Sequence, residues 1–156
     1  MAAVVTSAEI ARSFKNGMES FNTFNGNPVS CAIGLAVLDV LEADQLPQHA
    51  ADVGTYFTSC LTQLATRHPA IGDVRGRGLF LGVELVTDRT TREPATRWAA
   101  QVVESMLQRG ILVTTEGPHD CVLKIKPPLV FTRSDVDLFV QALDSGLSEI
   151  ESAGNA

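Results

Sequence analysis

Residues 28–43 constrain this chain more than any other stretch. Pro28 suits the first turn of a helix, where a missing N–H costs nothing. Cys31-Ala32-Ile33-Gly34-Leu35-Ala36-Val37-Leu38 then continues small or apolar without a break, and polarity returns only near the end. A helix that is apolar on nearly every side has to be covered on nearly every side. One domain of a 156-residue chain offers a single core, so this segment is predicted to lie between two bodies: its own domain and a second domain or subunit.

The beginning of the chain points the same way. Ala2 to Val5 is a short apolar run that reads as a strand, and a strand opening a chain needs neighbours from elsewhere to bury both faces. The chain is therefore expected to start inside a larger body. Ser7 is a plausible N-cap, with Glu9 in the first turn of a short helix through Phe14. Lys15 to Asn27 forms a loop, with Asn16-Gly17 and Asn25-Gly26-Asn27 as turn signals.

From Gln45 onward the pattern becomes regular. Pro47 opens a helix to about Arg67, with Val53, Phe57, Leu61 and Leu64 at helical spacing, and His68-Pro69 stops it. Ile71–Val74 and Leu79–Val86 read as strands around a bend at Arg75-Gly76-Arg77-Gly78, and Asp88–Pro94 as a polar connection. Ala95–Gln108 is an amphipathic helix stopped by Gly110. Ile111–Thr114 and Cys121–Ile125 are two more strands, and Pro127-Pro128 ends the second. Ser134 is expected to cap a last helix carrying Val136, Phe139, Val140, Leu143 and Leu147 on one stripe, with residues 152–156 frayed. The fold class is α+β: helices on one side of a short, mainly antiparallel sheet, preceded by a strip of another domain. The expected division is residues 1–44 and residues 45–156.

Charge and composition narrow the function. A net charge of −6, with Lys and Arg scattered, leaves no basic footprint for nucleic acid. No segment approaches the roughly 20 apolar residues of a membrane span, and the start lacks a basic n-region. Cys31, Cys60 and Cys121 are odd in number and set in apolar surroundings, which reads as reduced thiols in the cytoplasm. No Cys/His cluster suggests a metal. His49, His68 and His119 lie far apart in sequence without a nucleophile pattern beside them.

Phe21-Asn22-Thr23-Phe24-Asn25-Gly26-Asn27-Pro28 is the most specific motif. It resembles the T-F-x-G-N-P element of class III pyridoxal-phosphate (PLP) aminotransferases of fold type I. Ile71-Gly72-Asp73-Val74-Arg75-Gly76-Arg77-Gly78-Leu79, Gly82-Val83-Glu84-Leu85 and Lys124-Ile125-Lys126-Pro127-Pro128-Leu129 follow in that family's order. The resemblance covers nearly the whole chain and is closest to the branch of alanine–glyoxylate-type transaminases and phospho-amine lyases. It implies residues 1–44 as a remnant of the large PLP-binding domain and residues 45–156 as the small C-terminal domain. It further implies a dimer in which Thr23, flanked by Asn22 and Phe24, contacts the phosphate of the neighbouring subunit's cofactor. Lys124 stands where many members carry an arginine for the substrate carboxylate, and a lysine there is a point charge rather than a fork. The lysine that carries PLP in the family would lie upstream of Met1, and none of the lysines here occupies its place.

Other readings remain open on the residues themselves. Thr23 could cap a turn, and Lys124 with Lys126 could face solvent on an edge strand. Asn25 replaces the usual glycine of the motif. The chain could also be a free-standing, non-catalytic module that pairs through helix 28–43, and the parent could be a phospho-lyase instead of a transaminase.

Overall fold

The computed structural model describes residues 2–15, 17 and 22–154. Asn16 of the first turn signal and Phe21 of the motif lie outside the described residues. The chain divides into two compact units, Met1–Gln45 and Leu46–Ala156.

In the first unit, Ala2–Ser7 is irregular, not a strand. Val4 and Val5 are 91% and 97% exposed, and no ladder partner reaches them among the described residues. A strand is a pairwise object, so β-propensity without a partner leaves extended coil. Helix α1 spans Ala8–Ser13, where Ser7 Oγ accepts the Ile10 N–H. Helix α2 spans Pro28–Ala43, with Pro28 at its start and the Asn27 side chain accepting the Ser30 N–H at 2.9 Å. None of its residues is buried, and Val29, Ile33, Leu35, Val37, Leu38 and Val40 are all more than half exposed.

The second unit is a sheet with helices over one face. Helix α3 spans Leu46–Ala65, one residue ahead of the expected Pro47. Strands β1 (Ile71–Arg77) and β2 (Phe80–Asp88) form an antiparallel hairpin. The bend is shorter than the Arg75–Gly78 motif suggested, because β1 runs on through Arg77 and the chain reverses at Gly78, where φ is +55°. Glu93–Pro94 adds a two-residue β3 against β2, within the stretch expected as a connection. Helix α4 spans Thr96–Gln108. Strand β4 is Thr114–Glu116, displaced from the expected Ile111–Thr114, and β5 is Val122–Ile125. The displacement follows from the partner: β5 stops at Ile125 before two prolines that cannot donate to a ladder, so pairing begins at Thr114↔Lys124.

The strand order is β1-β2-β5-β4 and every pairing is antiparallel. The last helix, α5, spans Arg133–Gly154. Its cap is Thr132, not Ser134: Asp135 Oδ2 accepts the Thr132 N–H at 2.8 Å while Thr132 Oγ1 accepts the Asp135 N–H at 3.3 Å. That reciprocal pair is a capping box with aspartate in the acidic position. Helical structure continues through residue 154, beyond the expected fraying point.

Alternation along the strands decides which face is covered. Leu81, Val83 and Leu85 of β2, with Leu123 and Ile125 of β5, are all at most 4% exposed and join one core. Phe57, Leu61 and Leu64 from α3, Ala99, Val102 and Met106 from α4, and Val136, Leu143 and Leu147 from α5 complete it. Each large aliphatic or aromatic side chain buried here contributes roughly 1.5–3 kcal/mol. Phe57 anchors the centre, edge-on to Phe139 at 5.2 Å and stacked with Phe131 at 6.1 Å. Asp73 and Arg75 of β1, Glu84 of β2, and Val122 and Lys124 of β5 are exposed or half-buried on the opposite face, where the ladder places them side by side.

Candidate functional site

The motif at residues 22–27 folds as a tight turn leading into α2. Asn22 Oδ1 accepts the Phe24 N–H at 2.8 Å, and Asn22 O accepts the Asn25 N–H at 3.1 Å. These bonds make Asn22 the builder of the turn and leave Thr23 exposed at its tip. Phe24 is 66% exposed, and its carbonyl accepts the Ala2 N–H at 2.9 Å, which ties the start of the unit to the loop. Asn25 does not take a positive φ, so asparagine replaces the motif's glycine without backbone strain.

Lys124 belongs to the other unit. It sits on β5, flanked by β2 and β4, so the edge-strand reading does not hold. Its register partners are Gly82 and Thr114, and its ammonium donates to Glu116 on the neighbouring strand. That bond holds the Glu116 carboxyl below the usual carboxylate range. One strand beyond Gly82, Arg75 donates to Asp73 at 2.6 Å and to Glu84 at 2.5 Å, which keeps its guanidinium firmly charged. The Lys126 ammonium lies 5.3 Å from the centre of the Phe80 ring, a cation–π contact on a half-exposed aromatic.

The open sheet face therefore carries cations set between carboxylates, with a glycine between Arg75 and Lys124 in register. On this face the Arg75 charge is met by Asp73 and Glu84 and the Lys124 charge by Glu116. Glu116 was not legible as its partner, because pairing across the β4–β5 hairpin sets the contact. The glycines of Arg75-Gly76-Arg77-Gly78 serve the hairpin: a Cβ on Gly76 would lie 2.3 Å from the Phe80 carbonyl oxygen.

The histidines are structural in geometry. His49 Nε2 meets the Phe131 carbonyl at 2.9 Å, the His119 carbonyl accepts the Thr96 hydroxyl, and His68 is buried between carboxylates of α5. Among the described residues no group of His, Cys, Asp and Glu could hold a metal ion, and all three cysteines are free thiols. No helix of the described residues is long and apolar enough to cross a membrane.

Comparison with known proteins agrees with the motif. The family model described as aminotransferase class-III matches residues 1–147. Alanine–glyoxylate aminotransferase 2 homolog 2, mitochondrial, of Arabidopsis thaliana is 47% identical over 150 residues, covering 96% of this chain and 31% of its own length. Ethanolamine-phosphate phospho-lyase homolog 1 of Caenorhabditis elegans is 40% identical, covering 95% and 32%. Among solved structures, a phospholyase from Arthrobacter in complex with phosphoethanolamine superposes with a TM-score of 0.82 at 41% identity, covering 92% of this chain and 34% of that one. The chain thus spans about a third of the length of the relatives it matches. Its structural neighbours are PLP-dependent transaminases of fold type I, including a Bacillus anthracis aminotransferase at a TM-score of 0.79. On this agreement of motif, fold and similarity, the chain belongs to the aminotransferase class-III family.

Proposed function

We propose that residues 1–156 act as the C-terminal part of a PLP-dependent class III enzyme that moves an amino group between an amine or amino acid and an oxo acid or aldehyde. Residues 1–44 are the strip of the large cofactor-binding domain and residues 45–156 the small domain. The observation that carries this reading is the turn at Asn22–Asn25, which leaves Thr23 exposed on the loop that leads through Asn27 into the N-terminus of α2. A phosphate dianion favours hydroxyl and backbone N–H donors at such a place.

The residues fit a share of the cofactor, not the whole of it. Thr23 would hold a phosphate oxygen, Asn22 fixes the turn, and Phe24 flanks it. No Lys, Arg or His occurs between residues 22 and 45, so the balancing charge must come from other parts of the enzyme. Bound PLP supplies the electron sink for bond breaking at the substrate's amine carbon. In this reading Thr23 serves the cofactor of a second copy in a homodimer, and Lys124 receives the anionic group of the substrate. The three lysines, Lys15, Lys124 and Lys126, do not carry the cofactor, so the chain is inactive by itself. The working compartment is the cytoplasm, where its thiols stay reduced.

A phospho-lyase parent is the second reading. It is favoured by Lys124 in place of a forked arginine and by the phospho-lyase names of two relatives.

Adding PLP to the purified chain, reducing with borohydride and mapping adducts by mass tests the proposal. No single lysine should be labelled stoichiometrically, whereas a stoichiometric adduct on one lysine would overturn it. In the whole enzyme, Thr23→Ala should weaken PLP retention by about tenfold, on the order of one hydrogen bond to a charged group.

A further inference from the structure

His68 is buried at the junction of α3 and β1, and both of its ring nitrogens face carboxylate oxygens. Nδ1 lies 2.9 Å from Glu151 Oε2 and Nε2 lies 2.6 Å from Asp144 Oδ1. The side chain is 6% exposed, so water does not replace either partner freely. Ionised carboxylates only accept, and a neutral imidazole has one donor and one acceptor. This arrangement satisfies both nitrogens only when the ring carries both protons.

The surrounding groups make the arrangement a junction rather than an isolated pair. Arg67 reaches the second oxygen of Asp144 at 3.0 Å, and the second oxygen of Glu151 accepts the Ala70 N–H at 3.4 Å. The Arg89 guanidinium donates to the His68 carbonyl at 2.9 Å, and Ile71 N–H donates to the same oxygen at 3.1 Å. Among the described residues Asp144, Glu151 and Arg89 are the charged groups bonded to His68, and Arg67 reaches it only through Asp144. Asp144 and Glu151 of α5 thus hold residues 67–70 through Arg67, the His68 ring and the Ala70 N–H, while Arg89 braces the same segment from the β2 end.

We propose that His68 is a proton-operated latch: as imidazolium it clamps the α3–β1 connection to Asp144 and Glu151 of α5, and loss of one ring proton opens it. Deprotonation sets a nitrogen lone pair against a carboxylate oxygen, so one of the two bonds becomes repulsive. Leu143, Leu147 and Ile150 keep most of α5 on the core, which confines the opening to residues 67–71 and the turns around Glu151. Acid opens the latch by the other route, through protonation of the carboxylates, and Asp144 resists this because its bond to His68 holds its carboxyl below the usual range.

The test is amide hydrogen exchange of the purified chain from about pH 5 to about pH 10, corrected for intrinsic exchange, with ring-nitrogen NMR of His68. Both ring nitrogens should be protonated while the Ala70 amide is protected. As the ring loses a proton, Ala70 should lose at least about tenfold more protection than the Leu85 amide, which bonds the Cys121 carbonyl inside the sheet. In His68→Gln that excess pH dependence should vanish. A ring that is neutral while Ala70 stays protected would overturn the proposal, as would an unchanged excess in His68→Gln. Where His68→Gln does not fold, Glu151→Gln decides: with one anion gone, its ring should give up a proton at lower pH than in the unsubstituted chain, and equal titration refutes the latch.

Discussion

Gly54 lies in the middle of α3, where helix propensity alone says that alanine is better. Gly→Ala in a helix interior gains about 1 kcal/mol. Here the substitution meets the hairpin turn. A Cβ at this position would stand 2.1 Å from the Gly78 carbonyl oxygen and 2.3 Å from its carbon. Real Cβ atoms essentially never come closer than 3.0 Å to such an atom, so α3 and the β1–β2 turn must separate by roughly 1 Å. Both obstacles are backbone, and neither can turn aside. Forced shifts of this kind cost about 1–3 kcal/mol, occasionally more, and the upper part of that range applies because Val53 and Phe57 flank the site in the core.

Gly54→Ala should therefore destabilise the second unit by a net amount on the order of 2 kcal/mol, against the sign of helix propensity. For a domain near 100 residues, that lowers the melting temperature by roughly 10 °C. The only tryptophan, Trp98 on α4, is half-buried against this core, so its fluorescence reports the unfolding of the right unit. Gly146→Ala is the comparison. Its Cβ would meet the Ser105 hydroxyl at 3.1 Å, a far milder approach to a side chain held by Glu149 and Arg109, so the helix-propensity gain and the crowding should nearly cancel and stability should change by less than about 1 kcal/mol. If Gly54→Ala unfolds at or above the temperature of the unsubstituted chain, the close approach of α3 to the turn is wrong.

Two further outcomes follow from side chains. Arg89 donates to the carbonyls of Ala65, His68, Pro69 and Ile71, gathering the C-terminus of α3 and the following turn onto one guanidinium. Arg89→Ala should cost about 2–3 kcal/mol, and Arg89→Lys should recover little of it because an ammonium cannot fork; full recovery by lysine in denaturant unfolding would refute the fork. Tyr56 is the only tyrosine, and its hydroxyl donates to Asp137 Oδ1 at 2.6 Å, which pushes its pKa up to about 12. The folded chain holds that proton more tightly than the unfolded one, so the stabilisation is present below the ordinary value near 10 and is lost as pH rises through 12. Phenolate absorbance should show this midpoint in the folded chain, with a return toward about 10 in Asp137→Asn; equal midpoints would remove Asp137 as the cause.

What the sequence made legible was whatever a single segment decides. Pro28 and Asn27 mark the start of α2, and the Val53-Phe57-Leu61-Leu64 stripe marks α3, because local spacing alone selects a helix face. Thr132-Arg133-Ser134-Asp135 carries its capping box in plain view, although serine at 134 is by residue type an equally good cap. Pairing decisions were less accessible. Ala2–Val5 and Ile111–Val113 have strand composition, yet neither forms a strand here, since a strand exists only where its neighbour has donors and acceptors to offer.

The same division runs through the site. The turn at Asn22–Asn25 is a backbone device of four adjacent residues, so its motif could be read letter by letter, and its geometry makes Asn22 the residue that closes it. Lys124 could be placed on a strand by alternation, but its charge partner Glu116 depends on hairpin register, and the Arg75 carboxylates depend on the β1–β2 register as well. His68 is the extreme case: its partners lie 76 and 83 residues away in sequence, brought to it by the packing of α5 on α3. A histidine beside a helix stop carries no local sign of two carboxylates, and only the folded chain brings Asp144 and Glu151 to its two ring nitrogens.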